Sequence, residues 1–164
     1  MKSRVGIGYD AHRFAAGREL VLGGVLIPES PGLAGHSDAD VLTHAIMDAL
    51  LGAAGLPDIG TLFPDTDERF AGADSVRLLR EVVTMVRERG WGIANVDAVL
   101  VCETPRLAPH KDAVRASLAD VLSVETAQVG VKGTTTEGMG FEGRREGIGA
   151  TAVCLLVEDD ERVL

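Results

Sequence analysis

A carboxylate and an imidazole lie two residues apart near the start of the chain, at Asp10 and His12. Before them, Val5, Ile7 and Tyr9 alternate with glycines, which is the period of a β-strand. Side chains two apart on a strand point to the same face, so this pair could chelate a divalent cation. With one more imidazole it would form the open three-ligand site of catalytic zinc. A strand-end Asp that caps a turn beside a surface His is the structural alternative.

His44 is the candidate third ligand. From Asp40 onward the apolar spacing is helical, and Asp40, His44 and Asp48 form a polar stripe opposite the apolar one. A solvated helix face would explain this stripe without any metal. However, Met47 and Leu51 lie within about 60° of His44 on the same helix. We therefore expect this face to be covered, with another subunit as one candidate for the cover.

Two segments combine groups that bind phosphate. Residues 36–40 precede the helix, where Ser37 or Asp38 would cap its free amides, and free amides at a helix start favour phosphate. Residues 132–138 carry three hydroxyls, and the carboxylate of Glu137 beside them can hold Mg²⁺ against phosphate oxygens. A capping motif and an ordinary strand of β-branched residues are the alternatives. The polar loops 58–60 and 63–67 could hydrogen-bond a polyol, although solvated turns often have this composition.

Alternating strand and helix patterns must position these residues. We expect an α+β fold, namely a mixed four-stranded sheet with helices packed on one face plus a small hairpin. The predicted strands cover the start of the chain, a bent strand or hairpin at 20–27 broken by Gly23 and Gly24, and segments 97–102, 129–131 and 150–157. The predicted helices are 40–54, a second from Ser75 to a stop at Gly90, and a third opened by Pro109.

Composition and charge exclude several classes of function. The 164 residues predict one domain spanning 1–164, and aromatic residues are only 4%, so its core is aliphatic. The net charge of −9 argues against a nucleic-acid partner and against binding to an anionic membrane. No apolar stretch approaches the ~20 residues that span a bilayer. Cys102 and Cys154 form no CxxC pair and lie in apolar runs, so we expect reduced core thiols and a cytoplasmic location.

In chain order these segments resemble the monofunctional 2-C-methyl-D-erythritol 2,4-cyclodiphosphate synthase family of non-mevalonate isoprenoid biosynthesis. The resemblance covers nearly the whole chain, and its blocks at 63–67 (FPDTD) and 134–137 (TTTE) are highly specific in combination. It implies a ferredoxin-like or chorismate-mutase-like fold that assembles as a homotrimer with active sites between subunits. It also implies a lyase that uses two divalent metals.

The resemblance assigns roles to individual residues. Zn²⁺, or another divalent ion, falls on Asp10, His12 and His44, and a second ion, Mg²⁺ or Mn²⁺, contacts Glu137 at the substrate diphosphate. His36 and Thr135 match the positions credited with stabilising the transition state. The implied substrate-binding residues are Asp10, His12, Ser37, Asp58, Ile59, Gly60, Phe63, Pro64, Asp65, Thr66, Asp67, Cys102, Glu103, Thr104, Pro105, Arg106, Leu107, Ala108, Thr134, Thr136, Glu137, Phe141 and Arg144.

The implied reaction releases CMP from 4-diphosphocytidyl-2-C-methyl-D-erythritol 2-phosphate by intramolecular attack of the 2-phosphate on the β-phosphate. Residues 102–108 with 134–136 of a neighbouring subunit match the cytidine site, and Ser37 with the two polar loops matches the methylerythritol site. The alternatives are a metal-dependent phosphohydrolase and a non-catalytic zinc- or nucleotide-binding module on the same scaffold.

The chain departs from the family pattern at two positions that bear on structure. The family commonly has Gly where this chain has Ala39, so a positive φ there would be costly. Some members place a Glu as partner to the Arg that matches Arg144, and this chain has Thr151 at that position, so we expect Arg144 to lack this partner.

Overall fold

A computed structural model of the protein describes residues 2–28 and 30–159. The strands are β1 (Ser3–Ala15), β2 (Leu20–Leu22), β3 (Val25–Ile27), β4 (Gly32–Leu33), β5 (Trp91–Val101), β6 (Val129–Thr134) and β7 (Gly147–Glu158). The helices are α1 (Val41–Ala54), α2 (Ile59–Leu62), α3 (Ser75–Glu88), α4 (Lys111–Leu122) and α5 (Gly140–Gly143). The sequence carries a run of four acidic residues at 158–161, of which Asp160 and Glu161 lie outside the described residues.

The main sheet is mixed and has the strand order β4-β1-β7-β5-β6, while β2 and β3 form a separate hairpin. β5 and β6 are parallel, and the other pairings are antiparallel. The α+β class, the mixed sheet and the hairpin are therefore confirmed. The predicted count of four strands is wrong, because Gly32 and Leu33 add a fifth strand at the edge of β1. Two residues are too short to show an alternating pattern in the sequence.

One sheet face carries the core and the helices, as the alternation predicts. Gly6 and Gly8 of β1 face α1, and a β-carbon added to them would lie 1.9 Å from the carbonyl oxygen of Ala49 and 2.0 Å from that of Ala45. Glycine at these positions therefore lets the backbone of α1 rest directly on the sheet. This contact brings His44 of α1 beside the end of β1.

The opposite sheet face is apolar and exposed in the single chain. The side chains of Val5 and Ile7 are 70% and 69% exposed, and those of Tyr9 and Val153 are 58% and 41% exposed. Isolated apolar side chains on a surface are ordinary, but four on two neighbouring strands form a patch that fits a protein interface.

The helix starts differ from the predicted ones. Asp40, rather than Ser37 or Asp38, caps α1 by accepting a hydrogen bond from the Thr43 N–H at 3.0 Å. α4 begins at Lys111, so the prediction that Pro109 opens this helix is wrong. The Asp40 carboxylate also accepts the N–H groups of Gly23 and Gly24 at 3.0 and 2.8 Å, which fixes the hairpin to α1. Both oxygens of the Asp40 carboxylate therefore already accept hydrogen bonds from the protein itself.

The cover over the His44 face comes from the chain itself. Met47 and Leu51 are each only 1% exposed in the isolated chain. The suggestion that a second subunit covers them is therefore wrong, because folding of this chain alone buries both side chains.

A bilayer-spanning helix needs more length and more apolar residues than any helix within residues 2–28 and 30–159 has.

Candidate functional site

Asp10, His12 and His44 form one cluster with their ligand atoms turned toward each other. The Asp10 Oδ2 lies 2.8 Å from His12 Nε2 and 3.0 Å from His44 Nδ1, and the two ring nitrogens are 3.2 Å apart. Strand β1 supplies the first two residues on one face, and α1 supplies the third from its first turn. The sequence pointed to the third ligand through the helical spacing of Asp40, His44 and Asp48.

These three side chains fit a divalent metal such as zinc. Metal–ligand bonds of about 2.0–2.2 Å at tetrahedral angles place neighbouring ligand atoms about 3.3–3.6 Å apart. The observed separations of 2.8–3.2 Å are close to that spacing. His12 Nδ1 donates a hydrogen bond to the Ala34 carbonyl oxygen at 2.7 Å, which leaves the lone pair of Nε2 free to bind a cation.

The electrostatics of the cluster favour positive charge. Burial alone would raise the pKa of Asp10, but hydrogen bonds from His12 and His44 outweigh it and hold that pKa well below its usual range. Burial opposes a charged His12, yet the hydrogen bond and negative charge of Asp10 raise the pKa of this imidazole. A carboxylate that stays ionised between two imidazoles is a suitable anionic ligand for a cation.

The group of Asp10, His12 and His44, called the metal cluster below, opens into a cavity of about 470 Å³. Of the predicted site residues, nine line it: Asp10, His12, His36, Ser37, His44, Ile59, Gly60, Phe63 and Asp65. Sequence analysis missed four others, namely Gly35, Met47, Phe70 and Leu78. Phe63 and Phe70 pack edge to face with ring centroids 5.3 Å apart and form an apolar wall. The position of Met47 beside His44 on α1 was a signal that could have placed it in the cavity, whereas nothing in the sequence distinguishes Leu78 from an ordinary core residue of α3.

The polar loop beside this cavity is organised by its own aspartates. Asp58 caps α2 by accepting the Thr61 N–H at 2.8 Å. Asp48 of α1 accepts the Ile59 N–H at 2.9 Å and so joins α2 to α1. Asp67 pairs with Arg69 at 2.6 Å. Asp58 lines a neighbouring cavity of about 250 Å³, and Pro64, Thr66 and Asp67 are not among the residues lining the metal cavity.

A second cavity of about 570 Å³ lies where β5 and β6 end. The predicted nucleotide-site residues that line it are Cys102, Glu103, Pro105, Arg106, Leu107, Ala108, Thr134 and Thr135. Lys111, which the sequence analysis missed, also lines it, as do Lys132 and Gly133 of the predicted phosphate-binding segment 132–138. The two lysines add positive charge suited to an anionic ligand, although the Lys132 ammonium forms an ion pair with Asp97. Thr104 is not among the lining residues.

The turn that carries Glu137 is held by Glu103. The Glu103 carboxylate accepts the N–H groups of Thr136 and Gly138 at 3.2 and 3.3 Å, one on each side of Glu137. Glu137 has a φ of +53°, which is rare for a residue with a side chain, and its carboxylate accepts the Thr135 hydroxyl at 3.0 Å. The two implied functional side chains of this turn are thus in direct contact.

The predicted nucleotide site is far from the metal cluster within one chain. This site consists of residues 102–108 and 134–136. β1 and β6 are separated in the sheet by β7 and β5. Three strand spacings amount to about 14 Å. The two cavities also share no lining residue. Phe141 lies elsewhere, in a cavity it lines together with His12 and Glu146.

The comparison with a protein-family model decides the family of this chain. The model described as the YgbB family matches residues 3–157. The chain belongs to the YgbB family. The resemblance identified in the sequence is confirmed by relatives named 2-C-methyl-D-erythritol 2,4-cyclodiphosphate synthase. The relative from Rubrobacter xylanophilus is 61% identical over 156 residues, which are 93% of this chain and 94% of that protein. The relative from a Nostoc species is 57% identical over 161 residues and covers 98% of both chains.

Solved structures agree with this family. A CDP-bound 2C-methyl-D-erythritol-2,4-cyclodiphosphate synthase superposes with a TM-score of 0.86 at 42% identity, over 94% of this chain and 100% of that one. The bifunctional IspDF from Campylobacter jejuni gives a TM-score of 0.93 at 41% identity. That comparison covers 98% of this YgbB family chain but only 44% of the bifunctional one.

Two departures of this YgbB family member are visible in its structure. Ala39 has a φ of +57°, so the expected cost of a side chain at this position is present. Arg144 was expected to lack the Glu partner that some members have at the position of Thr151, and its Nε instead donates to the Glu146 carboxylate at 2.7 Å. Glu146 lies two residues after Arg144, in the segment between α5 and β7.

Proposed function

We propose that this YgbB family chain is a cyclodiphosphate synthase, a phosphorus–oxygen lyase that converts 4-diphosphocytidyl-2-C-methyl-D-erythritol 2-phosphate to 2-C-methyl-D-erythritol 2,4-cyclodiphosphate and CMP. The observation that carries this proposal is the Asp10–His12–His44 cluster, which opens into a cavity that His36 and Ser37 also line. The names of the relatives support the same substrate. The names of the CDP-bound homologues support a nucleotide ligand.

The chemistry follows from charge. An oxygen of the 2-phosphate forms a bond to the β-phosphorus, the bond from that phosphorus to the bridging oxygen breaks, and CMP leaves with this oxygen. The attacking phosphate is already anionic near neutral pH, so no strong general base is required. Bringing two anions together is the main barrier, and positioning with electrostatic stabilisation lowers it. His36 and Thr135 are the residues proposed to stabilise the transition state.

Divalent metals would supply the neutralising charge. Asp10, His12 and His44 would hold Zn²⁺ or a similar ion, and Glu137 would contact Mg²⁺ or Mn²⁺ at the substrate diphosphate. Nitrogen ligands suit zinc, and a lone carboxylate beside phosphates suits Mg²⁺. An acidic protein can therefore bind this anionic substrate without a large basic patch.

We propose that the protein is a homotrimer whose active sites lie between subunits. The distance between the metal cluster and Thr134–Thr135 within one chain supports this, because a neighbouring copy could bring the two halves together. The exposed patch of Val5, Ile7, Tyr9 and Val153 offers an apolar surface for the assembly. We also propose that residues 1–164 form one synthase domain and that it works in the cytoplasm, for which the two free, buried cysteines give support.

Product analysis tests the activity directly. Incubation with the substrate and divalent metals should release CMP together with a cyclic diphosphate. Release of a linear phosphate would instead favour the metal-dependent phosphohydrolase, and binding without CMP release would favour a non-catalytic module. The variant His44→Ala should lose both bound zinc and most of the activity, because two ligands bind the ion weakly.

Complementation tests the shared active site. His44→Ala and Thr135→Ala chains would be mixed in the unfolded state and refolded into mixed trimers. If each site uses both chains, about one quarter of the wild-type sites should regain both intact halves. Mixed trimers with no more CMP release than the parent variants would place each site within a single chain.

A further inference from the structure

A chain of hydrogen bonds leads away from the metal cluster into the protein. His44 directs Nδ1 toward Asp10 and His12, and its other nitrogen, Nε2, lies 3.0 Å from the hydroxyl of Ser75. The Ser75 hydroxyl in turn contacts Asp38 Oδ1. Ser75 is fully buried and begins α3. These hydrogen bonds therefore join the first turn of α1 to the start of α3.

The carboxylate of Asp38 can only accept hydrogen bonds here. Its Oδ2 accepts the Ser75 N–H at 3.1 Å, and its Oδ1 accepts the Asp40 N–H at 3.2 Å. An ionised carboxylate has no proton to donate, so the Ser75 hydroxyl must be the donor in its contact with Asp38. The Ser75 oxygen is then left with its lone pairs facing His44 Nε2.

The direction of the hydrogen bond from Ser75 to Asp38 determines which ring nitrogen of His44 carries the proton. Because the Ser75 hydroxyl proton is used on Asp38, Nε2 must carry a proton and donate it to Ser75. The charged ring can also donate from Nδ1 to Asp10, but the neutral ring that binds a metal keeps its one proton on Nε2, so Nδ1 then presents its lone pair to the metal position. The Ser37 hydroxyl also lies 3.2 Å from Nε2 and accepts the Ala39 N–H at 3.2 Å, which is compatible with a second, weaker acceptor for the same proton.

We propose that Ser75 and Asp38 are positioning residues that set the tautomer and ring orientation of His44 for metal binding. This rests on the metal site of the proposed function. Outer partners of this kind fix the orientation and raise the basicity of a ligating histidine. Neither residue belongs to the implied ligand set. Ser75 was not recognised in the sequence, because nothing in a helix-starting serine distinguishes this use from capping.

The test compares Ser75→Ala with a matched control, Thr43→Val. The Thr43 hydroxyl is equally buried and donates to the buried Asp40 carboxylate at 2.8 Å, and the hydrogen bonds of the His44 ring go to other described residues. Zinc dissociation constants would be measured on metal-free protein by competition with a chromophoric chelator. We expect Ser75→Ala to weaken zinc binding about 10- to 100-fold. Thr43→Val should lower thermal stability but keep the zinc affinity of the wild type.

Wild-type zinc affinity in folded Ser75→Ala would overturn the proposal. A second measurement needs no variant and therefore does not depend on folding of the mutant. Long-range ¹H–¹⁵N correlation spectra of the zinc-loaded wild type should place the His44 proton on Nε2, and a proton on Nδ1 would overturn the proposal. The variant His44→Ala separates the two levels of inference, because zinc binding unaffected by it would contradict the metal site itself rather than the role of Ser75.

Discussion

The carbonyl oxygen of Ala45 lies 2.0 Å from the place that a β-carbon on Gly8 would occupy. No side chain fits in that space, so the contact between α1 and β1 depends on glycine. His44 precedes Ala45 on the helix, and Asp10 follows two residues after Gly8 on the strand. The closeness of helix and strand therefore sets the geometry of the metal cluster as well as the packing of the core.

Gly8→Ala should destabilise the protein and loosen its metal site together. The added methyl group would push α1 away from the sheet, at a cost of about 3 kcal/mol in the free energy of unfolding. Displacement of His44 from Asp10 and His12 should also weaken zinc binding. Chemical denaturation and a zinc titration of the folded variant would measure both effects.

Gly52→Ala is the matched control for that variant. Gly52 lies on the exposed side of α1, and a β-carbon there meets no atom within 4 Å. Alanine is the better helix former, so this change should stabilise the protein by about 0.5–1 kcal/mol. Equal effects of the two substitutions would contradict the role of the Gly8 contact.

Local patterns predicted the elements better than their assembly. The alternation of β1 and the helical spacing of α1 are properties of neighbouring residues, and the sequence displays both directly. The pairing of Gly32–Leu33 with β1 and the burial of Met47 depend on distant parts of the chain. For the same reason Asp10, His12 and His44 could be proposed as ligands, whereas the contact of His44 with Ser75, 31 residues later, could not.

Ala39→Gly should be nearly neutral for stability. Glycine would remove about 1–2 kcal/mol of left-handed strain at the φ of +57°. It would also lose a buried methyl group, at about 0.8 kcal/mol, and add about 0.4–1 kcal/mol of unfolded-chain entropy. These terms nearly cancel, so the melting temperature should change by less than about 4 °C. Ala39→Val, with a branched side chain at the same φ, should lower it far more. A large gain in melting temperature with glycine would contradict this balance, because it would require a strain at Ala39 greater than about 2 kcal/mol.

The buried cysteines should make stability fall at alkaline pH. Burial raises the pKa of the Cys102 and Cys154 thiols from 9.0 to about 11. In the unfolded chain both thiols lose their protons near pH 9, while the folded chain keeps them until about pH 11. The unfolded state therefore binds fewer protons in this window, and the free energy of unfolding decreases as the pH rises through it.

Denaturation curves between about pH 8 and about pH 11.5, which extend roughly one unit below that window and roughly half a unit above it, would measure the decrease. The double variant Cys102→Ala/Cys154→Ala is the control, since it lacks both thiols and should show a shallower slope. Identical slopes for the two proteins would contradict the burial effect. In the native state at pH 8, thiol reagents should react slowly with both cysteines, because the thiolate is the reactive form.

Asp48→Ala should weaken substrate binding more than it slows turnover. Asp48 accepts the Ile59 N–H at 2.9 Å and thereby holds the start of α2, whose Ile59 and Gly60 line the metal cavity. A hydrogen bond to a charged group contributes about 1.5–3 kcal/mol. If roughly 1–1.4 kcal/mol of this preorganises the loop, KM should rise about five- to tenfold, with a smaller change in kcat.

Asp48→Asn is the control, because it keeps an acceptor oxygen without the charge. Its KM should lie between those of the wild type and Asp48→Ala. Asparagine and alanine variants with the same KM would show that the charge of Asp48, rather than its hydrogen bond to Ile59, affects the substrate.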